Sequence, residues 1–162
     1  MKVIGVDPGT QVTGYGVVSR SKGKLFCHGW GVIRTTPKAP LPLRLKQIAD
    51  GLKDALEQYA PDELALEETF VAKDPQSALK IGHARGAIML VAAQAGLFVA
   101  EYSPLKIKQS VVGYGRAEKE QVRTMVRQIL SLKENPTPLD ASDGLAIAIT
   151  HLSHLPPTQG RR

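Results

Sequence analysis

The sequence predicts an α/β protein built on five strands. Short apolar segments bordered by Gly and Pro indicate strands near the amino terminus, and later strands alternate with amphipathic helices. The length of 162 residues and the 43% hydrophobic content fit one domain, which we expect over residues 1–155. The short tail at 156–162 is expected to be disordered.

The first strand is the apolar run that opens at Lys2 and ends at Asp7, where a Pro-Gly-Thr turn follows. A second run from Tyr15 to Ser19 then favours an antiparallel hairpin. A carboxylate at the end of an apolar strand loses water at a cost, unless a cation, a donor or a metal compensates it. Asp7 is therefore a candidate site residue, although an Asp that only caps the turn would give the same pattern.

The remaining elements follow from hydrophobic period and from chain breakers. In order, we expect a strand at 25–33, a helix from Leu43 to the residues before Pro61, a strand at 63–68, a helix at 76–95, a strand at 98–102, a short helical turn after Pro104, a helix around 119–130 and a last helix at 140–154. Within the second helix, residues 84–95 are apolar around most of the circumference. Such a helix is covered on several sides, either inside the domain or by a second subunit.

Charge and composition narrow the classes of partner. The net charge of +6 favours a polyanion, nucleic acid before membrane, because no basic amphipathic membrane helix and no bilayer-length apolar run is apparent. The start lacks a signal-like pattern, which predicts a cytoplasmic protein. The single cysteine, Cys27, fits a packing role in a reducing compartment.

Four acidic side chains are candidates for one site. Asp140 and Asp143 stand three apart at the start of the last helix and so share a face, although favourable interaction with the helix dipole and an N-cap role for Asp140 would also explain them. Glu67 ends an apolar strand as Asp7 does, and its neighbour Glu68 must face the other way on an extended segment. Functional groups gather outside strand ends in α/β sheets, so these acids are expected to converge.

Converging carboxylates repel one another unless divalent cations are bound, which predicts a metal site. Oxygen ligands favour Mg²⁺, with Mn²⁺ as a substitute, over zinc. Two such ions roughly 3.5–4 Å apart support phosphodiester hydrolysis. The four histidines have no zinc-type spacing, and we interpret His83, His151 and His154 as surface or core residues.

Several segments together carry a family resemblance. They are Gly5–Thr10 with Thr13–Val17, Leu66–Glu67, Ser77–Lys80 with Ala84–Gly86, Val111–Gly113 with Ala117–Lys119, and Asp140–Asp143 with Leu145–His151. In this order and spacing, over nearly the whole chain, the sequence resembles the RuvC-type Holliday junction resolvases. The resemblance implies a ribonuclease H-like fold, with a five-stranded mixed sheet flanked by helices on both faces.

The same resemblance implies a homodimeric, Mg²⁺-dependent endonuclease that nicks four-way DNA junctions symmetrically in recombination and repair. It also implies the RuvA and RuvB branch-migration proteins as partners. The family's four acidic catalytic positions are matched in this sequence by Asp7, Glu67, Asp140 and Asp143.

Three further residues match DNA-contacting positions of the family. Phe70 matches an aromatic placed against junction bases, and an exposed Phe can stack on an unpaired base. The alternative is that Phe70 is a core residue beneath the loop. Lys108 and Lys119 match basic positions near the site, where they would hold phosphates or offset developing charge. Without the resemblance they would be ordinary surface lysines.

Two other classes remain open at this stage. An ATP-handling protein of the actin and sugar-kinase type shares the Asp7-Pro8-Gly9-Thr10 pattern, but it needs two lobes and this chain supplies one. A catalytically silent DNA-structure binder would keep the lysines without needing the acids.

Overall fold

The computed structural model of the chain describes residues 1–68 and 74–156. Phe70 and residues 157–162 of the expected tail lie outside these ranges. The strands are β1 (Lys2–Asp7), β2 (Val12–Ser21), β3 (Lys24–Arg34), β4 (Glu63–Glu67) and β5 (Phe98–Tyr102). The helices are α1 (Leu41–Tyr59), α2 (Pro75–Gln94), α3 (Pro104–Val112), α4 (Lys119–Ile129) and α5 (Leu139–His154).

The five strands form one mixed sheet in the order β3-β2-β1-β4-β5. β1 pairs antiparallel with β2, and β2 pairs antiparallel with β3. β4 is parallel both to β1 and to β5, so α2 crosses over between the parallel strands β4 and β5. The five-stranded mixed sheet predicted from the sequence is confirmed.

Each face of the sheet has its own core because side chains alternate along a strand. Val3 packs on one face with buried residues of α3, α4 and α5. Its neighbour Ile4 packs on the other face with buried residues of α1 and α2. The expected layering, with helices on both faces, is therefore confirmed.

α5 lies unusually close to the sheet because glycines face it. At Gly5 of β1, an added Cβ would meet the Gly144 carbonyl oxygen and would lie 2.5 Å from the Ala148 amide nitrogen. At Gly16 of β2, it would lie 2.5 Å from the amide nitrogen of Leu145. Only a residue without a side chain allows this approach, which brings the start of α5 over the edge of the sheet.

Three elements differ from the sequence expectation. β2 is longer at both ends than residues 15–19, because its pairing with β3 continues from Val12 opposite Arg34 to the hairpin turn. α1 begins at Leu41, since a proline in the first turn loses no intrahelical hydrogen bond. α3 is a nine-residue helix rather than a short turn, and the Ser103 side chain caps it by accepting a hydrogen bond from the Lys106 amide.

Among the helices within the described ranges, none combines the length and the apolar character needed to cross a bilayer.

We predict that Gly5→Ala destabilises the protein by about 2 kcal/mol or more, because the new methyl group overlaps the backbone of α5. Urea unfolding of this variant and of the unmodified protein measures the difference. Equal stability of Gly5→Ala and the unmodified protein would contradict the close approach of α5.

Candidate active site

The carboxyl ends of β1 and β4 meet at one edge of the sheet. Val6 pairs with Leu66 across these parallel strands, so the residues that follow, Asp7 and Glu67, end the two strands at the same level. Alternation along each strand directs both side chains to the face that packs against α5, on which Val3 and Ala65 are buried. Two of the predicted carboxylates are thus adjacent.

The first turns of α5 supply the other two carboxylates. One oxygen each of Asp7, Asp140 and Asp143 lies within 4.8 Å of the others. The Glu67 carboxyl shares a hydrogen bond with Asp7. The structure therefore brings together all four acids, which we call the acid cluster: Asp7, Glu67, Asp140 and Asp143.

The capping explanations for two of these acids do not hold. The turn after β1 is closed by Thr13, whose hydroxyl donates to the Gly9 carbonyl at 2.8 Å and accepts from the Gly9 amide at 3.3 Å. Asp7 is therefore not needed as the cap of that turn. The N-cap position of α5 is Pro138, so Asp140 lies inside the first turn and is not an N-cap.

Crowding and burial disfavour full ionisation of the acid cluster. Burial raises the pKa of Asp7 well above its usual range, and the negative charges of Glu67 and Asp143 raise it further. Burial also raises the pKa of Glu67, against the opposing effect of its hydrogen bond with Asp7 and of nearby cations. The protonated form of Asp7 is therefore favoured, and its neighbours accept hydrogen bonds from it.

Asp143 shows the same balance. Burial raises its pKa to about 6, with the charges of Glu67 and Asp140 adding to the effect and the hydrogen bond from Asp7 and the charge of Lys119 opposing it. In the free protein, negative charge in this cluster is therefore only partly compensated.

Two lysines face the acids across a cavity of about 210 Å³, which Asp7, Glu67 and Asp143 line together with Lys108 and Lys119. Lys108 comes from α3 and Lys119 opens α4. Their charges lower the pKa of Glu67, yet neither makes an ion pair within the described residues. Both cations are free to contact an anion that enters the cavity.

The sequence analysis favoured Glu67 over Glu68 as the site residue, because adjacent side chains on a strand face opposite ways. Glu67 lines the cavity, whereas Glu68 continues the ladder through its amide, which donates to the Tyr102 carbonyl at 2.8 Å. The side chain of Glu68 is half-buried and is not among the residues that line the cavity.

Arg85 of α2 is a site residue that the sequence analysis did not single out. Its guanidinium donates to the main-chain carbonyl of Glu67 and pairs with Glu101, and its side chain is only 17% exposed. It therefore holds the end of β4, where the catalytic candidate Glu67 lies. The feature of the sequence that could have pointed to Arg85 is the presence of an arginine within the otherwise apolar segment 84–95.

The histidines play no part in the acid cluster. His151 is buried and is hydrogen-bonded at 2.6 Å to Glu63 and at 2.7 Å to the Tyr102 hydroxyl. It is the core residue that the sequence analysis favoured over a metal ligand.

The donor set fits a hard divalent cation. The acid cluster offers only carboxylate oxygens, which are the ligands that Mg²⁺ and Mn²⁺ prefer. The pKa values are raised because negative charge is buried without a counter-ion, and a bound cation would supply that counter-ion.

We predict that Asp143→Asn stabilises the metal-free protein above pH 6. The raised pKa means that the folded state binds this proton more tightly than the unfolded state. The contribution of Asp143 to stability is therefore fully present below about pH 4 and is lost as the pH rises through about 6. Removing the charge should add about 1–3 kcal/mol to the free energy of unfolding at pH 8, and the gain should vanish towards pH 4.

Urea unfolding in a chelating buffer between pH 4 and pH 8 measures this effect. Asp50→Asn is the matched control, because Asp50 is exposed and paired with Lys46, which lowers its pKa; this change should bring no gain. A destabilised Asp143→Asn protein at pH 8 would contradict the electrostatic picture of the acid cluster.

Comparison with known proteins identifies the family. Residues 3–151 match the family model described as crossover junction endodeoxyribonuclease RuvC. A protein of that name from Desulforamulus reducens is 47% identical over 151 residues, which cover 93% of each chain. The protein of the same name from Syntrophotalea carbinolica is 51% identical over 151 residues, again 93% of each chain.

A solved structure shares both sequence and fold. T. thermophilus RuvC in complex with a Holliday junction substrate is 39% identical, with a TM-score of 0.88 over 94% of this chain and 93% of that one. The ribonuclease H-like fold expected from the resemblance is confirmed. The chain belongs to the RuvC family of crossover junction endodeoxyribonucleases.

Proposed function

We propose that this chain resolves four-way DNA junctions by paired symmetric nicks during homologous recombination and DNA repair. The observation that carries the proposal is the convergence of four acids from β1, β4 and α5 beneath Lys108 and Lys119. It is supported by membership of the RuvC family and by the T. thermophilus relative solved with a Holliday junction substrate.

The acid cluster would hold the metal, as two Mg²⁺ ions for which Mn²⁺ can substitute. When bound, such ions activate water and stabilise the charge of a phosphodiester undergoing hydrolysis. Asp7 makes a hydrogen bond to Glu67 and to Asp143, so its carboxyl group is close enough to both that the three would hold a cation together. Binding requires that the cluster release its retained protons.

The two lysines complete the reaction site. Lys108 and Lys119 face the acids across the cavity and would contact the oxygens of the scissile phosphate. A cation at this position stabilises the additional negative charge that develops on the phosphoryl oxygens in the transition state. The apolar residues Ile107, Val122 and Ile147 line the remainder of the cavity and limit the water around it.

DNA as the substrate is supported by the charge distribution. Residues 101–133 carry seven Lys or Arg against three Glu, and this stretch contains both lysines of the cavity. Cations around the acid cluster would attract the phosphate backbone, while the carboxylates of the cluster would bind metal. Phe70 follows Glu67 closely in the sequence, and we propose that it stacks on an unpaired junction base.

Symmetric nicking requires two active sites, and we propose that α2 forms the contact between two subunits. α2 buries Ala84, Ile88 and Val91 on one side. The opposite side carries Leu79 and Leu90, which are 65% and 58% exposed. Gly82 and Gly86 lie on that side too, where added methyl groups would meet nothing within 4 Å in the described residues. A two-fold interface buries the same apolar surface of each copy.

We further propose that residues 1–155 act as one nuclease domain in the cytoplasm, alongside the RuvA and RuvB branch-migration proteins. This rests on family membership.

Asp7→Asn should reduce nicking of a four-way junction by orders of magnitude and leave junction binding intact or tighter at low salt, because the change removes a metal ligand and a negative charge. The assay is digestion of a mobile four-way junction, a flap and a linear duplex with Mg²⁺, with products sized on a denaturing gel. Junction binding without nicking by the unmodified protein, with no Mg²⁺ or Mn²⁺ bound above background, would favour a silent structure binder instead.

Leu90→Glu should convert the dimer to a monomer, because two carboxylates would have to be buried in the proposed contact. Leu43→Glu on α1 is the matched control, since Leu43 is 54% exposed on a different helix. Analytical ultracentrifugation measures the oligomeric state. A dimer that tolerates Leu90→Glu would rule out α2 as the contact.

A further inference from the structure

A second cavity, of about 530 Å³, opens beside the acid cluster. It is lined by the turn after β1, from Pro8 to Val12, together with Arg44 of α1, Lys80 of α2 and Asp140 of α5. None of its described lining residues is aromatic, so the cavity offers no surface on which a base could stack.

Arg44 is held rigidly in this cavity. Its Nη2 donates to the Thr10 carbonyl at 2.7 Å, and its Nε donates to the Thr35 hydroxyl at 3.2 Å. Both acceptors are neutral, and no carboxylate within the described ranges pairs with the guanidinium. The positive charge of a half-buried arginine is therefore fixed in place without a counter-ion.

Lys80 supplies a second positive charge to the same cavity. It is exposed, and it makes neither an ion pair nor a side-chain hydrogen bond to any part of the chain that the structure describes. One preorganised cation and one flexible cation thus face a single space. Arginine and lysine in this combination are typical contacts of a phosphate group.

Asp140 connects this cavity to the reaction site. It lines the second cavity, while its carboxylate lies within 4.8 Å of those of Asp7 and Asp143, which line the first. The acid cluster therefore lies between two cavities that each contain two cations. A DNA strand whose scissile phosphate lay over the acids would direct its neighbouring phosphates to the two sides.

We infer that the cavity of Arg44 and Lys80 binds a backbone phosphate of the cleaved strand next to the scissile phosphate, on the side of the acid cluster opposite Lys108 and Lys119. The inference rests on the proposed function and adds a binding site to it. The site reads the sugar-phosphate backbone and not the base. It places the strand so that the scissile phosphate lies over the acid cluster.

Salt dependence of junction binding tests the charge contacts. Arg44→Gln and Lys80→Gln should each weaken binding to a four-way junction by roughly tenfold at 0.1 M salt and lower the slope of log affinity against log salt by about 1. Binding is followed by fluorescence anisotropy in a chelating buffer, so the result does not depend on turnover. Lys24→Gln is the matched control, because Lys24 is an exposed lysine at the hairpin end of the sheet, away from the acid cluster.

Substituted DNA identifies the phosphate. A junction with one uncharged methylphosphonate next to the scissile position should bind the unmodified protein roughly tenfold more weakly, and Lys80→Gln should show little further loss with this junction. The inference would be overturned if the losses of affinity caused by Lys80→Gln and by the methylphosphonate simply added together, wherever the methylphosphonate is placed among the phosphates on either side of the cut. So would unchanged affinity and salt slope in Lys80→Gln, which removes no contact that holds the fold.

These outcomes are separable from failure of the proposed function. An unmodified protein that neither binds nor nicks the junction would reject the proposed function. An unmodified protein that nicks the junction, together with an Arg44→Gln, Lys80→Gln double variant that binds with unchanged affinity, would reject this site alone. Thermal unfolding of Arg44→Gln controls for loss of its contacts with Thr10 and Thr35.

Discussion

Electrostatic repulsion among four carboxylates is the constraint on which the rest of the structure depends. Oxygens of Asp7, Asp140 and Asp143 lie within 4.8 Å of one another, and Glu67 shares a hydrogen bond with Asp7. Burial raises the pKa of the Asp7 carboxyl well above its usual range. The folded chain tolerates this arrangement only because the remainder of the domain holds the acids together, and hard cations are the ligands that relieve it.

The fold supplies that restraint from two directions. The parallel pairing of β1 with β4 sets Asp7 beside Glu67, and the glycines that face α5 let the helix approach until its first turns reach the same edge. Extensive burial along α5, from Ala141 to Leu152, then holds the helix against the sheet. Arg85 ties the end of β4 to α2, so the helix proposed as the subunit contact also positions a carboxylate of the site.

Positive charge is arranged around the acid cluster in a complementary way. Lys108 and Lys119 line one cavity next to the acids, and Arg44 and Lys80 line the other. An acidic centre repels a polyanion and a basic surround attracts it, so a backbone is held most favourably when it crosses the centre and contacts cations on both sides. This distribution would let the proposed metal site and the proposed DNA-binding surface occupy the same edge of one sheet.

The sequence alone predicted where β1 and β4 end, the acidic candidates and the family, because hydrophobic period and chain breakers are local properties and the motifs keep their order along the chain. It could not decide whether Asp140 was a cap or a site residue, and it did not reveal Arg85 or the cavity of Arg44 and Lys80. These depend on contacts between residues far apart in the chain, such as Arg85 with the end of β4. Local patterns place residues along the chain, but only tertiary packing decides which charges become neighbours.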